Sequence, residues 1–264
     1  MKARTFSTPT LIIAAVLALT GCKKEDNDVE AREFKVRMTD SPGDYKALNV
    51  SVLSVDAYHE DGAWVNISNE TQAVDVLNLT NGEEKIIAQK DIRSGMYSKL
   101  RIVFSQDATV SVTEADGLGS STVIATHDLH WSGNKEVIIN IAQKISATNG
   151  ANVLVDFNVA ASITETDGEY YIAPVVNVIT DEATGVKGDV DGSAHAVVML
   201  VGNGKTISTY TDASGNFLMR GVEAGTYTLI AIPEIEGVLD EGVEFNLEVV
   251  IDKGTIKNVG TINL

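Results

Sequence analysis

Phe34-Lys35-Val36-Arg37-Met38-Thr39-Asp40-Ser41-Pro42-Gly43-Asp44-Tyr45 is the stretch whose reading decides the fold. Apolar Phe34, Val36 and Met38 alternate with Lys35, Arg37 and Thr39, the period-2 pattern of a strand with one buried face. Ser41-Pro42-Gly43-Asp44 then stops the strand with a turn. The alternation returns in Leu48, Val50 and Val52, in Leu100, Ile102 and Phe104, and in Val153, Val155, Phe157 and Val159. Turn signals separate the runs: Glu60-Asp61-Gly62, Asn81-Gly82, Arg93-Ser94-Gly95, Asp116-Gly117, Ser132-Gly133-Asn134, Asn149-Gly150 and Asp167-Gly168. With no amphipathic helix between them, these runs predict one all-β domain of about a dozen strands over residues 33–181, a sandwich or barrel of antiparallel sheets.

Residues 185–264 repeat the pattern on a smaller scale. Val186 to Val190, Ala196 to Val201, Ile207 to Thr211, Phe217 to Arg220, Thr226 to Ile232, Phe245 to Ile251 and Ile256 to Leu264 give about seven short strands, the count of a small Greek-key sandwich. Asp212 to Asn216 reads as a hairpin turn in which Gly215 is free to take positive φ. Phe217 then plugs the core, and Gly225 permits a tight entry to the Tyr227, Leu229, Ala231 face. The expected fold class is therefore all-β, two antiparallel β-sandwich domains.

Upstream of residue 33 the chain reads as an address. Lys2 and Arg4 precede the apolar run Leu11 to Leu19, which has the length of a secretory signal and falls short of the roughly 20 apolar residues of a spanning helix. Leu19-Thr20-Gly21-Cys22 follows, and Cys22 is the only cysteine. This resembles the lipobox of bacterial lipoproteins, which implies cleavage of residues 1–21 between Gly21 and Cys22 and a diacylglyceryl thioether on the Cys22 thiol. Two or three acyl chains, at about 0.8 kcal/mol per buried CH₂, anchor a protein durably. Residues 22–32 are almost free of apolar side chains and read as a disordered, lipidated tether. Within it, Lys24-Glu25-Asp26 resembles the signal that sends lipoproteins to the outer face of the outer membrane in some Gram-negative bacteria. The expected location is the outer membrane, lipid-anchored and facing the exterior.

Two family resemblances refine the domains. Met38 to Tyr45, Gly62-Ala63-Trp64, Asp75-Val76-Leu77-Asn78-Leu79, Gly95 to Arg101, Val155-Asp156-Phe157, Ser162-Ile163 and Tyr171 to Val176 together are similar to a family of bacterial lipoprotein domains catalogued as domain of unknown function 4382. That resemblance implies fold and location and carries no catalytic residues. Thr211 to Phe217, Gly221-Val222 and Ala224 to Leu229 resemble the carboxypeptidase regulatory-like domain, a transthyretin-like sandwich that in its family is an accessory or spacer. Lys187-Gly188 departs slightly from that pattern.

The residues of catalysis and metal binding are sparse. None of His59, His127, His130 and His195 has Glu three positions on, so the metallocarboxypeptidase pair is missing. His127 and His130, three apart, point to opposite faces if they lie on a strand, and read as an exposed loop before the turn at Trp131. Asp189-Val190-Asp191-Gly192 fails as an EF-hand because Leu200 stands where the bidentate carboxylate belongs. Asp40 and Asp44 flank Pro42-Gly43 as loop candidates, for a cation or for acid/base work, against the alternative that they hold the turn by side-chain to backbone bonds. Tyr58, Trp64, Trp131, Tyr170 and Tyr171 read as core packing before a sugar-stacking platform. No metal, cofactor or catalytic set is expected.

Charge narrows the partners further. Loss of Lys2 and Arg4 with the leader takes the formal charge from −17 to −19, which argues against nucleic acid. The expected function is a non-enzymatic binding or structural role at the cell surface, toward a glycan, an envelope protein or a second copy, with sheet edges as one route to a partner. The alternative is a carboxylate-dependent hydrolase acting on extracellular or envelope polymers.

Overall fold

A computed structural model describes residues 31–41, 45–115, 122–191, 195–235, 238–240 and 243–264. Gly21, Cys22, Lys24, Glu25, Asp26 and Asp44 lie outside the described residues.

The first unit is built of β1 (Ala31–Ser41), β2 (Ala47–His59), β3 (Trp64–Ser68), β4 (Gln72–Asp75), β5 (Lys85–Arg93), β6 (Gly95–Phe104), β7 (Thr109–Ala115), β8 (Thr122–Trp131), β9 (Glu136–Ile145), β10 (Ala151–Asn158), β11 (Ile163–Thr166), β12 (Glu169–Ile172) and β13 (Val176–Ile179). A 3₁₀ turn, Val76–Leu79, and a single helical turn, α1 (Val159–Ser162), interrupt them. One sheet has the order β13-β10-β1-β5. The other runs β11-β12-β8-β7-β2-β6-β9, with β3 and β4 also on β2. Long β2 is the spine of this sheet: β3 and β4 share one of its edges while β6 and β7 share the other. Register shifts in β1–β5, β2–β3, β2–β6 and β6–β9 mark bulges, which bend a sheet and raise its twist.

Every apolar position of the four alternating runs is interior, from Phe34, Val36 and Met38 at 0% exposure to Val50 at 2%. Phe34 meets Tyr97 edge-on at 5.5 Å between ring centroids, and Phe104 meets Phe157 edge-on at 6.0 Å. The sandwich also closes its sheet edges against each other. Lys85 Nζ on edge strand β5 donates to the Ala73 carbonyl at 2.6 Å, and Lys90 Nζ donates to the Asn66 carbonyl at 3.2 Å, so β5 is tied to β4 and β3 across the seam. Along the other seam β13 lies against β9. Lysine on an edge strand is a recognised way of blunting it toward foreign strands.

Most strand pairs are antiparallel, as expected. Among the described residues three are parallel: β1–β10 over eight residues, β8–β12, and one in the second unit.

That second unit comprises β14 (Gly185–Val190), β15 (Val197–Gly202), β16 (Lys205–Tyr210), β17 (Asn216–Arg220), β18 (Gly225–Ile232), β19 (Glu234–Ile235), β20 (Val238–Leu239), β21 (Phe245–Ile251) and β22 (Ile256–Ile262). Its sheets are β17-β14-β22, with β14 and β22 parallel, and β16-β15-β18-β21; β19 and β20 form a small hairpin absent from the sequence reading. The seven runs read from the sequence are the seven strands of the two sheets. Asp212 Oδ1 accepts from Ser214 N (2.8 Å) and Asn216 N (2.9 Å), Gly215 takes φ 85°, and Phe217 is 2% exposed. Gly225 is required by a close approach, since a Cβ there would lie 2.7 Å from Asn203 Nδ2. Val186, Val198, Leu200, Leu229 and Ala231, all at 0% exposure, belong to a core separate from that of the first unit.

Truncating Phe157 empties the centre of the larger core. Phe157→Ala is expected to lower unfolding stability by about 3–5 kcal/mol in urea denaturation, whereas Ile124→Ala on the exposed sheet face changes it by less than about 0.5 kcal/mol.

Candidate functional site

The candidate site is the cleft where the two sandwiches meet, and it exists because a turn of the first is plugged into the second. Asn81 and Gly82 take φ 59° and 79°, the left-handed pair that Asn-Gly supplies cheaply. The turn does not join a hairpin here. Asn81 N donates to Thr209 Oγ1 (3.1 Å) and Asn81 Nδ2 to the Asn216 carbonyl (3.1 Å), so β16 and the start of β17 supply its acceptors. From below, Thr39 Oγ1 lies 2.9 Å from the carbonyls of both Leu79 and Glu83 and fixes the turn to β1.

Steric fit and charge complete the joint. A Cβ on Gly82 would lie 2.7 Å from Leu218 Cδ2, and a Cβ on Gly221 (φ 73°) would lie 2.6 Å from Ile179 Cγ2. Each sandwich thus presents one glycine with positive φ to an apolar side chain of the other. Beside them Arg37 bonds Glu84, Glu182 and Asn152, while Arg220 of β17 approaches the other oxygen of Glu84 at 3.7 Å. Burial works against the Arg37 charge, and the hydrogen bonds and charges of Glu182 and Glu84 outweigh it, so its pKa is raised.

The linker between the sandwiches is knitted rather than bare. Asp181 accepts from Ala183 N (3.1 Å) and Thr184 Oγ1 (2.7 Å). Thr184, 1% exposed, accepts in turn from Gly254 N (2.6 Å) and, at its carbonyl, from Gly221 N (2.9 Å).

Between these contacts remains a cleft of about 580 Å³, bordered by β10 and β13 on one side and by β16 and β17 on the other. Of the charged residues on its rim, Lys205 Nζ bonds Glu223 at 2.9 Å and Glu84 is held by Arg37 and Arg220; Asp40 and Asp156 also line it. Asn158 Oδ1 caps α1 by accepting from Ala161 N (2.8 Å), and the residue lines the cleft. The Asn177, Thr180 and Thr206 side chains also border the cleft, without hydrogen bonds to the rest of the described residues.

Asp40 corrects the loop reading. It ends strand β1 and continues the inward series Phe34, Val36, Met38, so its carboxyl enters the end of the core at 8% exposure. Neither oxygen makes a hydrogen bond, and it therefore does not hold the turn. Burial first, then the neighbouring charges of Asp156 and Asp75, push its pKa up to about 9. Asp156 is level with Thr39 in the β1–β10 ladder, so it shares the face of Thr39, and Asp40 lies on the opposite one.

The remaining sequence candidates are dispersed. His127 and His130 lie on strand β8, not in a loop, and they do point to opposite faces: His127 Nε2 meets Glu114 at 2.7 Å and His130 Nε2 meets Glu169 at 3.0 Å. Among the described residues no group of three His, Cys, Asp or Glu side chains is placed to hold a metal ion. Tyr170 is buried, and Trp131 Nε1 donates to the Gln106 carbonyl (2.8 Å). Tyr58 and Trp64 stack edge-on at 5.1 Å on the sheet face, beneath Lys99 and Arg101, the latter 4.5 Å from the Trp64 ring. Sequence reasoning missed the joint itself, because nothing local distinguishes Asn81-Gly82 from an ordinary turn.

Compared with known proteins, residues 32–174 match the model of a family described as "Domain of unknown function (DUF4382)". No match is found among curated proteins. Among solved structures the chain is similar to BcpA, the major pilin subunit of Bacillus cereus, at 14% identity over 89% of this chain and 70% of that one, with a TM-score of 0.23. It is also similar to the shaft pilin SpaA of Lactobacillus rhamnosus GG, at 10% identity over 88% of this chain and 97% of that one, with a TM-score of 0.25. TM-scores of this size carry no argument about function or assembly.

Two outcomes follow from this geometry. Asp40 binds its proton more tightly in the folded chain than in the unfolded one, so the contribution of Asp40 to stability is most favourable below about pH 4 and is lost as pH rises toward about 9. Asp40→Asn is expected to remove that slope and to gain about 3–5 kcal/mol at pH 7 with little change at pH 4, read from urea midpoints across pH. Gly221→Ala forces a Cβ onto Ile179 in a left-handed backbone that alone costs about 1–2 kcal/mol. Its expected signature is faster proteolysis in the linker at residues 180–184, with Gly254→Ala, which has open space around it, as the control.

Proposed function

Because the chain belongs to the DUF4382 family, which its residues 32–174 match, we propose its role from its own chemistry: a non-enzymatic surface protein that presents two joined sandwiches to a binding partner outside the cell. In this reading Cys22 carries the lipid, cleavage falls between Gly21 and Cys22, and Lys24-Glu25-Asp26 directs export to the outer face of a Gram-negative outer membrane. Residues 33–181 form the DUF4382 sandwich and residues 185–264 a carboxypeptidase regulatory-like spacer. The partner is a glycan or an envelope protein.

The observation that carries the reading is the joint. The plugged Asn81-Gly82 turn, the shared Glu84 and the bonded linker make two sandwiches into one arm, which suits display at a distance from a membrane. The hydrolase alternative needs two carboxyl groups converging on one substrate. Asp40 lines the cleft but has both carboxyl oxygens enclosed, and it lies on the face of β1 opposite that shared by Thr39 and Asp156, so the two carboxyl groups do not converge on one substrate.

The anchor is tested by metabolic labelling with a fatty-acid precursor. The wild-type chain is expected to be labelled and to fractionate with membranes, and Cys22→Ser to lose both properties; label retained on Cys22→Ser overturns the anchor. Protease added to intact cells is expected to degrade the protein, and neutralising Glu25 and Asp26 to protect it. Protection of the wild-type chain until lysis overturns surface display.

A further inference from the structure

We propose that the cleft between the sandwiches binds a neutral, hydroxyl-rich ligand, a segment of an uncharged polysaccharide. This deepens the surface-binding reading above and rests on it. At about 580 Å³ the cleft lies within the range of small-ligand sites, about 300–1,000 Å³.

Its chemistry disfavours an anionic ligand, since Asp40 and Asp156 are among its lining residues. Lys205 is neutralised by Glu223, and Arg220 faces Glu84, which Arg37 also holds, so no cation on the rim is left to receive an anion. The surplus of acidic groups over the whole chain, −17, repels anionic polymers as well.

Apart from Asp40 and Asp156, the polar groups that remain are amides and hydroxyls. The Asn158 NH₂ and the Asn177 amide offer donors, and the Thr180 and Thr206 hydroxyls donate or accept. Leu154, Ile179, Ile207 and Leu218 supply apolar wall between the polar groups. A sugar ring presents this combination in complement: hydroxyls that donate and accept around its rim, and C–H faces that pack on aliphatic surface.

The site would align with the arm's function, since a ligand seated there touches both sandwiches and gains only when they are joined. Isothermal titration of the full chain, purified in detergent, decides the matter. The probes are the neutral gluco-, manno-, galacto- and N-acetylglucosamine hexasaccharides, with hexagalacturonate as the charged counterpart. At least one neutral hexasaccharide is expected to bind, and hexagalacturonate to bind at least tenfold more weakly. Asn177→Ala combined with Thr206→Val is expected to cut that affinity tenfold or more while leaving the thermal midpoint unchanged, since neither side chain holds the fold. Trp64→Ala on the exposed sheet face is expected to leave affinity unchanged. Absence of binding by every neutral probe, stronger binding of hexagalacturonate, or affinity lost in Trp64→Ala but kept in the cleft variant each overturns the proposal. Because labelling and protease accessibility do not depend on the cleft, failure here is distinguishable from failure of the surface reading.

Discussion

Strand β1 is hydrogen-bonded along both edges and used on both faces, and the rest of the molecule depends on that double use. One edge pairs in parallel with β10 and the other antiparallel with β5. Phe34, Val36 and Met38 enter the larger core, while Arg37 and Thr39, on the opposite face, hold the turn and the glutamates that meet the second sandwich. Core and joint are therefore built on a single strand, and a change in its register by one residue would exchange the two faces.

The joint draws its specificity from polar groups and its closeness from glycine. Gly82 and Gly221 admit Leu218 and Ile179 where any side chain would collide, and this brings Asn81 within hydrogen-bonding distance of Thr209 and Asn216. Glu84, between arginines of both sandwiches, then neutralises what would otherwise be a pair of facing cations. The same arrangement leaves a cleft where the two surfaces diverge, lined by amides and hydroxyls beside paired charges. Asp40 stands apart from this chemistry: a carboxyl sealed at the end of a core, without a partner, whose cost is borne as a slope of stability with pH.

Much of the architecture was legible in the sequence because its determinants are local. Phe34, Val36 and Met38 specify a half-buried strand by alternation alone, and Asp212 to Asn216 specify a turn by the φ that Gly215 accepts and the oxygens that Asp212 offers. The β1–β10 ladder is a different matter. Alternation is the same in parallel and antiparallel strands, so the residues of β1 and β10 carry no mark of their parallel pairing, which joins Phe34 to Ala151. His127 and His130 show the intermediate case: their opposed faces follow from strand geometry, but the polar character of the segment reads as loop until β7 and β12 are seen on either side of it.

By itself, the sequence determined that this chain is all-β, where the seven main strands of the second unit lie, and which side chains of the alternating runs face inward, because strand periodicity and turn chemistry act over a few residues. The expectation of a lipidated Cys22 behind a short apolar leader likewise rests on local sequence. Only the tertiary structure decided that Asp40 is enclosed, that an ordinary Asn-Gly turn is the plug between two sandwiches, and that Arg37, Glu84 and Arg220 share one ion-pair network. Asn81 lies 128 positions from Thr209 and 135 from Asn216. Contacts over such separations are set by how whole sheets pack, and no pattern within either segment encodes its partner.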